Sequence, residues 1–274
     1  MAENDFLLNI VDVAKQAGLE IMRIYESKHD YKVEYKDDGS PVTIADMLAH
    51  ELICEHLAKL TPNIPILSEE FLAGDPAHRL ISEKIWLVDP LDGTKEFMSR
   101  NGEFTVNIAL IDRGAPTIGV VHAPALGLMY FAAQKFGAWR QANEESPKTI
   151  RTKSYDGGRV RMATSRSHSG QRIKLFQSWI EGQTGSEVRC TPMGSSLKIC
   201  LVAEGRLDIY PRLGSTSEWD TAAAHCVLNE AGGAIIDSDG NALVYNKAQI
   251  LNPWFFAIGD ESHNWLEKYS QAKA

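Results

Sequence analysis

Two carboxylates, Asp89 and Asp92, stand three residues apart in the turn-forming string Asp89-Pro90-Leu91-Asp92-Gly93-Thr94, directly after the apolar run Ile85-Trp86-Leu87-Val88. In a Pro/Gly turn such side chains can converge on one point, and a donor set made only of oxygens suits a hard cation such as Mg²⁺. Residues of this type also accept Asx-turn hydrogen bonds as a matter of routine, so spacing alone leaves both readings open. Upstream, Ile66-Leu67-Ser68-Glu69-Glu70 repeats the arrangement, an apolar run ending in acids. A second strand end would deliver Glu69 to the same place, while its neighbour Glu70 diverges. Downstream, Glu218-Trp219-Asp220 precedes a helix beginning near Thr221, where Asp220 would cap the helix or complement its dipole. Thr43-Ile44-Ala45-Asp46 has the spacing of a capping box. Gathered together, Asp46, Glu69, Asp89, Asp92 and Asp220 would be far too charged to persist without cations, and the set then reads as a multi-metal site.

The elements that must position these acids are of mixed type. Apolar residues from Phe6 to Ile24 recur at three- and four-residue steps and predict an amphipathic helix. The polar stretch 36–41 breaks it, and Thr43 opens a second helix carrying Ile44, Leu48, Leu52, Ile53, Leu57 and Leu60. From residue 85 the period changes: runs at 85–88, 104–111, 117–122 and 128–132, separated by Gly and Pro, predict a meander of strands. The second half predicts a strand at 159–164, helices at 173–181 and 196–204, a strand at 207–210 and a last helix at 221–231 ended by Gly232-Gly233. Without strict βα alternation this favours a layered α+β fold over a doubly wound sheet. No GxGxxG, P-loop or internal repeat is present. The polar stretch 141–158 is the weakest boundary, and it divides the chain into an N-terminal lobe, 1–145, and a C-terminal lobe, 146–274.

Composition bounds the rest. With 28 basic and 36 acidic residues in 274, the formal charge is −8. That argues against binding nucleic acid polymers by phosphate neutralisation, which needs clustered Lys and Arg. The four cysteines form no CxxC pair and read as buried, reduced thiols. No basic leader and no run of about 18 apolar residues occurs, so the expected location is cytoplasmic, with a peripheral contact to the inner membrane left open.

Taken in order, Ser40-Pro41-Val42-Thr43 to Asp46, Leu67-Ser68-Glu69-Glu70, Trp86-Leu87-Val88-Asp89-Pro90-Leu91-Asp92-Gly93-Thr94 and Trp219-Asp220-Thr221-Ala222-Ala223 resemble the signatures of the inositol monophosphatase superfamily, lithium-sensitive phosphatases that depend on metal. The likeness spans nearly the whole chain. Thr94-Lys95-Glu96-Phe97, the string from Asn101 through Glu103 to Leu110, Gly194-Ser195-Ser196-Leu197-Lys198 and Tyr210-Pro211-Arg212 are similar to the bacterial 3'(2'),5'-bisphosphate nucleotidase branch. The resemblance implies a layered αβαβα sandwich of the inositol monophosphatase and sugar phosphatase type. It implies two or three Mg²⁺ ions: one on Glu69, Asp89 and the Leu91 carbonyl, one on Asp89, Asp92 and Asp220, and a looser third near Glu69 or Glu70. Asp46 and Thr94 would position and deprotonate the attacking water.

Gly93 would let the backbone approach the phosphate. In the second lobe, Gly194 and Ser195 open a helix whose free N–H groups could receive an anion, with Lys198 one turn inside; a glycine turn, a serine cap and a solvated lysine would look the same. Arg212 could pair with a phosphate or be solvated. In related nucleotidases the segment equivalent to Ser165-Arg166-Ser167-His168 lies beside the nucleoside, which brings Ser165 and His168 into the substrate-binding set. The implied reaction is hydrolysis of adenosine 3',5'-bisphosphate to AMP and phosphate, with 3'-phosphoadenylyl sulfate as a second substrate, in sulfate assimilation. An inositol-1-phosphate or sugar phosphatase is the alternative, and a non-catalytic Mg²⁺-dependent nucleotide sensor is the alternative of another class.

Overall fold

The structure is a computed structural model that describes residues 3–27, 33–35, 41–71, 76–166 and 170–266. Helix α1 (Glu3–Tyr25) is followed by a short antiparallel pair, β1 (Val33–Tyr35) and β2 (Pro41–Thr43), and by helix α2 (Ile44–Leu60). The two helices bury one stripe each, with Leu7, Ile10, Ala14 and Ile21 on α1 and Ala49, Ile53 and Leu57 on α2 fully enclosed. Next come β3 (Ile66–Ser68), α3 (Pro76–Ile81), β4 (Lys84–Asp92), α4 (Thr94–Met98), β5 (Thr105–Asp112), β6 (Ala115–Ala123), β7 (Leu128–Ala133), β8 (Gly137–Ala142) and β9 (Lys148–Ile150). Strands β3 to β9 form one seven-stranded sheet in chain order, antiparallel except for the β3–β4 pair.

The second half supplies β10 (Val160–Ser165), α5 (Gln171–Thr184), β11 (Val188–Met193), α6 (Leu197–Ala203), β12 (Ile209–Arg212), a 3₁₀ turn at Glu218–Asp220, α7 (Ala222–Ala231), β13 (Ala234–Asp237) and β14 (Phe255–Ile258). Its sheet has the order β11-β10-β12-β14-β13 and is mixed, parallel across β11-β10-β12 and antiparallel at β14.

Strand periodicity builds the layers. On β4, Trp86 and Val88 face the core under α1 and α2, whereas Ile85 and Leu87 face α6 and α7; on β14, Phe255 and Ala257 join that same central core while Phe256 and Ile258 face α5. Both sheets are therefore covered on both faces, in the order helices, seven strands, helices, five strands, helix. This is the α+β sandwich of five layers expected from the resemblance. Helix α7 is buried nearly all round, and small residues let it lie between the sheets.

Several strands escaped the sequence pattern. Strand β4 does not stop at Val88 but runs on through Pro90 to Asp92. Strand β8 carries Arg140 and Gln141 half-buried, and β9 is an exposed three-residue edge, so neither shows a clean alternation. They bring residues up to 150 into the first sheet. Strands β11, β13 and β14 were not anticipated either, and β14 is enclosed on both faces and has no alternation to find. Residues 36–40, including Ser40, lie outside the described residues. Among the described residues no helix is long and apolar enough to cross a membrane.

The contact between α7 and the seven-stranded sheet is close. A Cβ on Gly119 of β6 would stand 2.2 Å from the Ala223 carbonyl oxygen and 2.7 Å from Cys226 Cβ. Gly119→Ala should therefore destabilise the protein by about 1–3 kcal/mol, measured as a lowered urea midpoint; unchanged stability would show that the helix can withdraw from the sheet at no cost.

Candidate active site

The two acids of β4 are brought together by an irregularity in the strand. Asp89 pairs with Asn107 and Asp92 with Thr105, so three steps on β4 match two on β5, a bulge at which Pro90 needs no ladder hydrogen bond. Residues three apart in a regular strand would face opposite sides of the sheet; the extra residue cancels that. Because β3 runs parallel to β4 with Ser68 opposite Val88, the next residue, Glu69, comes level with Asp89, and its N–H donates to the Val88 carbonyl at 3.1 Å. Asp220 arrives from the second half on the 3₁₀ turn, its Oδ2 accepting from Ser217 N–H at 2.8 Å. It therefore does not cap α7; it braces its own turn.

One ligand oxygen from each of Glu69, Asp89 and Asp220 lies within 4.8 Å of the others. Asp89 is 1% exposed. Burial first, then the charges of Glu69, Asp92 and Asp220, push its carboxyl well above the ordinary carboxylate range. Asp220 is raised in the same way, by burial and then by Asp92 and Glu69. So concentrated a set of acids can stay ionised only if a cation compensates it, and three converging oxygens are the donors that Mg²⁺ takes. The residues present fit such an ion.

Asp92 is not a member of that triad. Its Oδ2 accepts from Ser196 N–H at 2.6 Å and lies 3.4 Å from Asn107 Nδ2 and 3.5 Å from Thr105 Oγ1. Burial raises it to about 6, against the opposing charge of Lys198. Asp89 keeps its turn role as well, accepting from Leu91 N–H at 3.1 Å. Glu70 is half-buried and is likewise not one of the three, although its charge reaches Asp89.

Asp46 caps its helix with one oxygen and turns the other toward Thr94. Oδ2 accepts from Thr43 N–H at 2.7 Å and from Thr43 Oγ1 at 2.6 Å, completing the capping box of α2, while Oδ1 faces the Thr94 hydroxyl at 3.4 Å. The Leu91 carbonyl lies 3.5 Å from that same hydroxyl. Burial raises the Asp46 carboxyl, opposed by the Thr43 hydrogen bonds. Gly93, between them in sequence, has φ +92°, a conformation that favours glycine.

The basic groups gather on the other side of a cavity of about 130 Å³ that Asp92, Gly93, Ser195, Lys198, Arg212 and Asp220 help to line. Lys198 is not solvated: it is 5% exposed, donates to the Ser195 carbonyl at 2.6 Å, and lies 5.4 Å from the Tyr210 ring centre. Burial lowers its pKa to about 8, although Asp92 acts in the opposite sense. Arg212 donates from Nη2 to the Ser215 carbonyl at 2.8 Å, while its buried Nε has no hydrogen-bond partner among the described residues; the same holds for Ser195 Oγ. Ser165 also lines the cavity and opens onto an adjoining one of about 610 Å³. His168 lies outside the described residues.

The helix after Gly194 departs from expectation. Helix α6 has seven residues, Ser196 makes no side-chain cap, and its N–H is already engaged by Asp92. Its hydroxyl instead bonds Asn107 at 2.8 Å and Thr105 at 2.9 Å. Sequence reading missed these two supports of Asp92. A signal existed, since Thr105 and Asn107 are polar at alternate positions in an otherwise apolar strand.

The sequence profile of the inositol monophosphatase family matches residues 3–268. The chain is 45% identical over 253 residues to the 3'(2'),5'-bisphosphate nucleotidase CysQ of Salmonella typhimurium, covering 91% of this chain and 98% of that protein. It is 44% identical over 247 residues to the CysQ of Escherichia coli K12, covering 90% and 96%. The crystal structure of CysQ from Bacteroides thetaiotaomicron superposes with a TM-score of 0.82 at 38% identity, covering 95% of this chain and 99% of that one. With the profile running almost from end to end and the acids set on the expected layered frame, the chain belongs to the inositol monophosphatase family.

Proposed function

We propose that this protein is a Mg²⁺-dependent 3'(2'),5'-bisphosphate nucleotidase that removes the 3'-phosphate of adenosine 3',5'-bisphosphate, giving AMP and phosphate. The observation that carries the reading is the juxtaposition of a buried acid triad with a cavity lined by Ser195, Lys198 and Arg212. Its likeness to nucleotidases at 45% identity supports the substrate class. The same reading extends to 3'-phosphoadenylyl sulfate and to a cytoplasmic role in sulfate assimilation.

Glu69, Asp89, the Leu91 carbonyl, Asp92 and Asp220 would hold two Mg²⁺ ions, with Glu70 beside a looser third. Bound there, such ions would supply Lewis-acid activation of the attacking water and counter-charge for the phosphate and the departing ribose oxygen. Thr94 and Asp46 orient that water: the hydroxyl accepts its proton, and the facing Asp46 Oδ1 accepts the hydroxyl's own. Gly93 admits the phosphate close to the backbone. Lys198, Arg212, Ser195 and Gly194, with Ser165 and His168, receive the nucleotide and its second phosphate. No covalent intermediate on the protein is needed. Residues 1–145 thus supply most of the metal ligands, and residues 146–274 supply Asp220 and the substrate contacts.

Phosphate release from adenosine 3',5'-bisphosphate, AMP and inositol 1-phosphate, measured side by side with and without EDTA, should show a Mg²⁺-dependent preference for the bisphosphate. Preference for inositol 1-phosphate would discard the substrate, and no metal-dependent release from any of them would favour a non-catalytic sensor. Asp89→Asn should lower kcat by more than about a hundredfold; near-normal turnover would refute the metal assignment.

Stability should respond to pH at the same site. Asp89, Asp92 and Asp220 have folded-state pKa values above their unfolded ones, so the stability they contribute is present below the ordinary carboxylate range. It is lost as pH rises through the folded values, about 6 for Asp92. The melting temperature of the metal-free protein should fall between about pH 5 and about pH 8, and Mg²⁺ should raise it more at the higher pH. A Mg²⁺ effect independent of pH would mean that these carboxylates do not hold the ion.

A further inference from the structure

Glu103 lies just before β5, 8% exposed despite its charge, and takes no part in the chemistry above. Its carboxylate ties together three separated segments. Arg166, next after β10, donates to it from Nε at 2.6 Å and from Nη2 at 2.5 Å, a fork that fixes both planes. Gly194 N–H donates to its Oε2 at 2.7 Å. The fit is close: a Cβ on Gly194 would stand 2.6 Å from the Glu103 carbonyl oxygen and 2.8 Å from Glu96 Cγ.

The two residues after Gly194 form a wall of the cavity. Ser195 is held at φ +46°, its hydroxyl unpartnered among the described residues, and its carbonyl accepts from Lys198. On the far side Ser196 N–H donates to Asp92. The turn is gripped at two points, Glu103 and Asp92, and only the second of these belongs to the acids around the cation site.

We infer that Glu103 and Arg166 form a positioning latch that sets the preference for a bisphosphorylated nucleotide over small phosphate esters, by holding the 194–196 turn against the cavity. The inference rests on the nucleotidase reading. A small ester carries only the phosphate to be cleaved and needs the acids, not this wall. A loosened latch therefore penalises the nucleotide alone.

The test is a set of variants, Glu103→Gln, Glu103→Ala, Arg166→Ala and the double variant E103A/R166A. Each is assayed on adenosine 3',5'-bisphosphate and on 4-nitrophenyl phosphate, with melting temperatures alongside. In R166A and E103A the KM for the bisphosphate should rise about tenfold, or about 1.4 kcal/mol, while kcat and the constants for the small ester stay within about twofold. The double variant should be no worse than E103A, because a guanidinium that acts through Glu103 then has nothing left to hold. E103Q, which keeps an acceptor for Gly194 N–H but loses the charge, should fall between wild type and E103A. If E103A does not fold, R166A carries the test, since Arg166 is half-exposed.

A further KM rise in the double variant would place Arg166 on the substrate itself and overturn the latch, and so would equal losses on both substrates. A wild type without preference for the bisphosphate would overturn the nucleotidase reading and this inference together. Preference in the wild type with an unchanged bisphosphate KM in the variants would overturn the inference alone.

Discussion

The fold is organised around an electrostatic conflict. Glu69, Asp89 and Asp220 come from three different parts of the chain, yet each presents an oxygen within 4.8 Å of the others, with Asp89 almost entirely removed from water. Without a compensating ion, such a cluster works against the folded state. Its geometry survives because each acid is held by the backbone that carries it. Asp89 is fixed by the bulge in β4, Glu69 by parallel pairing of β3 with β4, and Asp220 by the Ser217 N–H of its own turn. The scaffold commits its hydrogen bonds to orientation and leaves the charge to be balanced by a ligand.

Opposite charge is arranged at a second radius. Lys198 is buried, close enough to stabilise Asp92, and its ammonium is satisfied by backbone carbonyls. It can therefore influence an arriving anion without collapsing onto the acids. Ser195 and Arg212 line the same cavity.

Much of this was legible before the structure. Helical periodicity placed α1 and α2, the Thr43-to-Asp46 spacing gave the capping box, and the acidic turn pointed to a cation. The mix of helical and strand periods already favoured layered α+β sheets, and family resemblance added the five-layer αβαβα order. The features that stayed hidden depend on contacts distant in sequence. Asp92 is held by Ser196, 104 positions away, and no local pattern announces that pairing. The bulge at Pro90 read as the end of a strand because proline and glycine punctuate turns and bulges alike. For Lys198 the sequence left a cation beside the substrate and a solvated lysine in a glycine-led turn equally open, and its burial in α6 removes the second. Strand β14 escaped because a segment enclosed on both faces has no alternation.

Helix α7 has a bearing on how the protein can move. It begins immediately after Asp220 and the adjoining Thr221, is buried nearly all round, and shares its apolar core with residues of both sheets. Swinging the sheets apart would wet the central layer of the molecule, so hinge opening of the kind seen between loosely joined domains is not available at modest cost. Admission and release of small molecules must then be local, a matter of turns at the rim rearranging over a rigid floor. Asp220, anchored to that floor, would stay in register with Asp89 throughout.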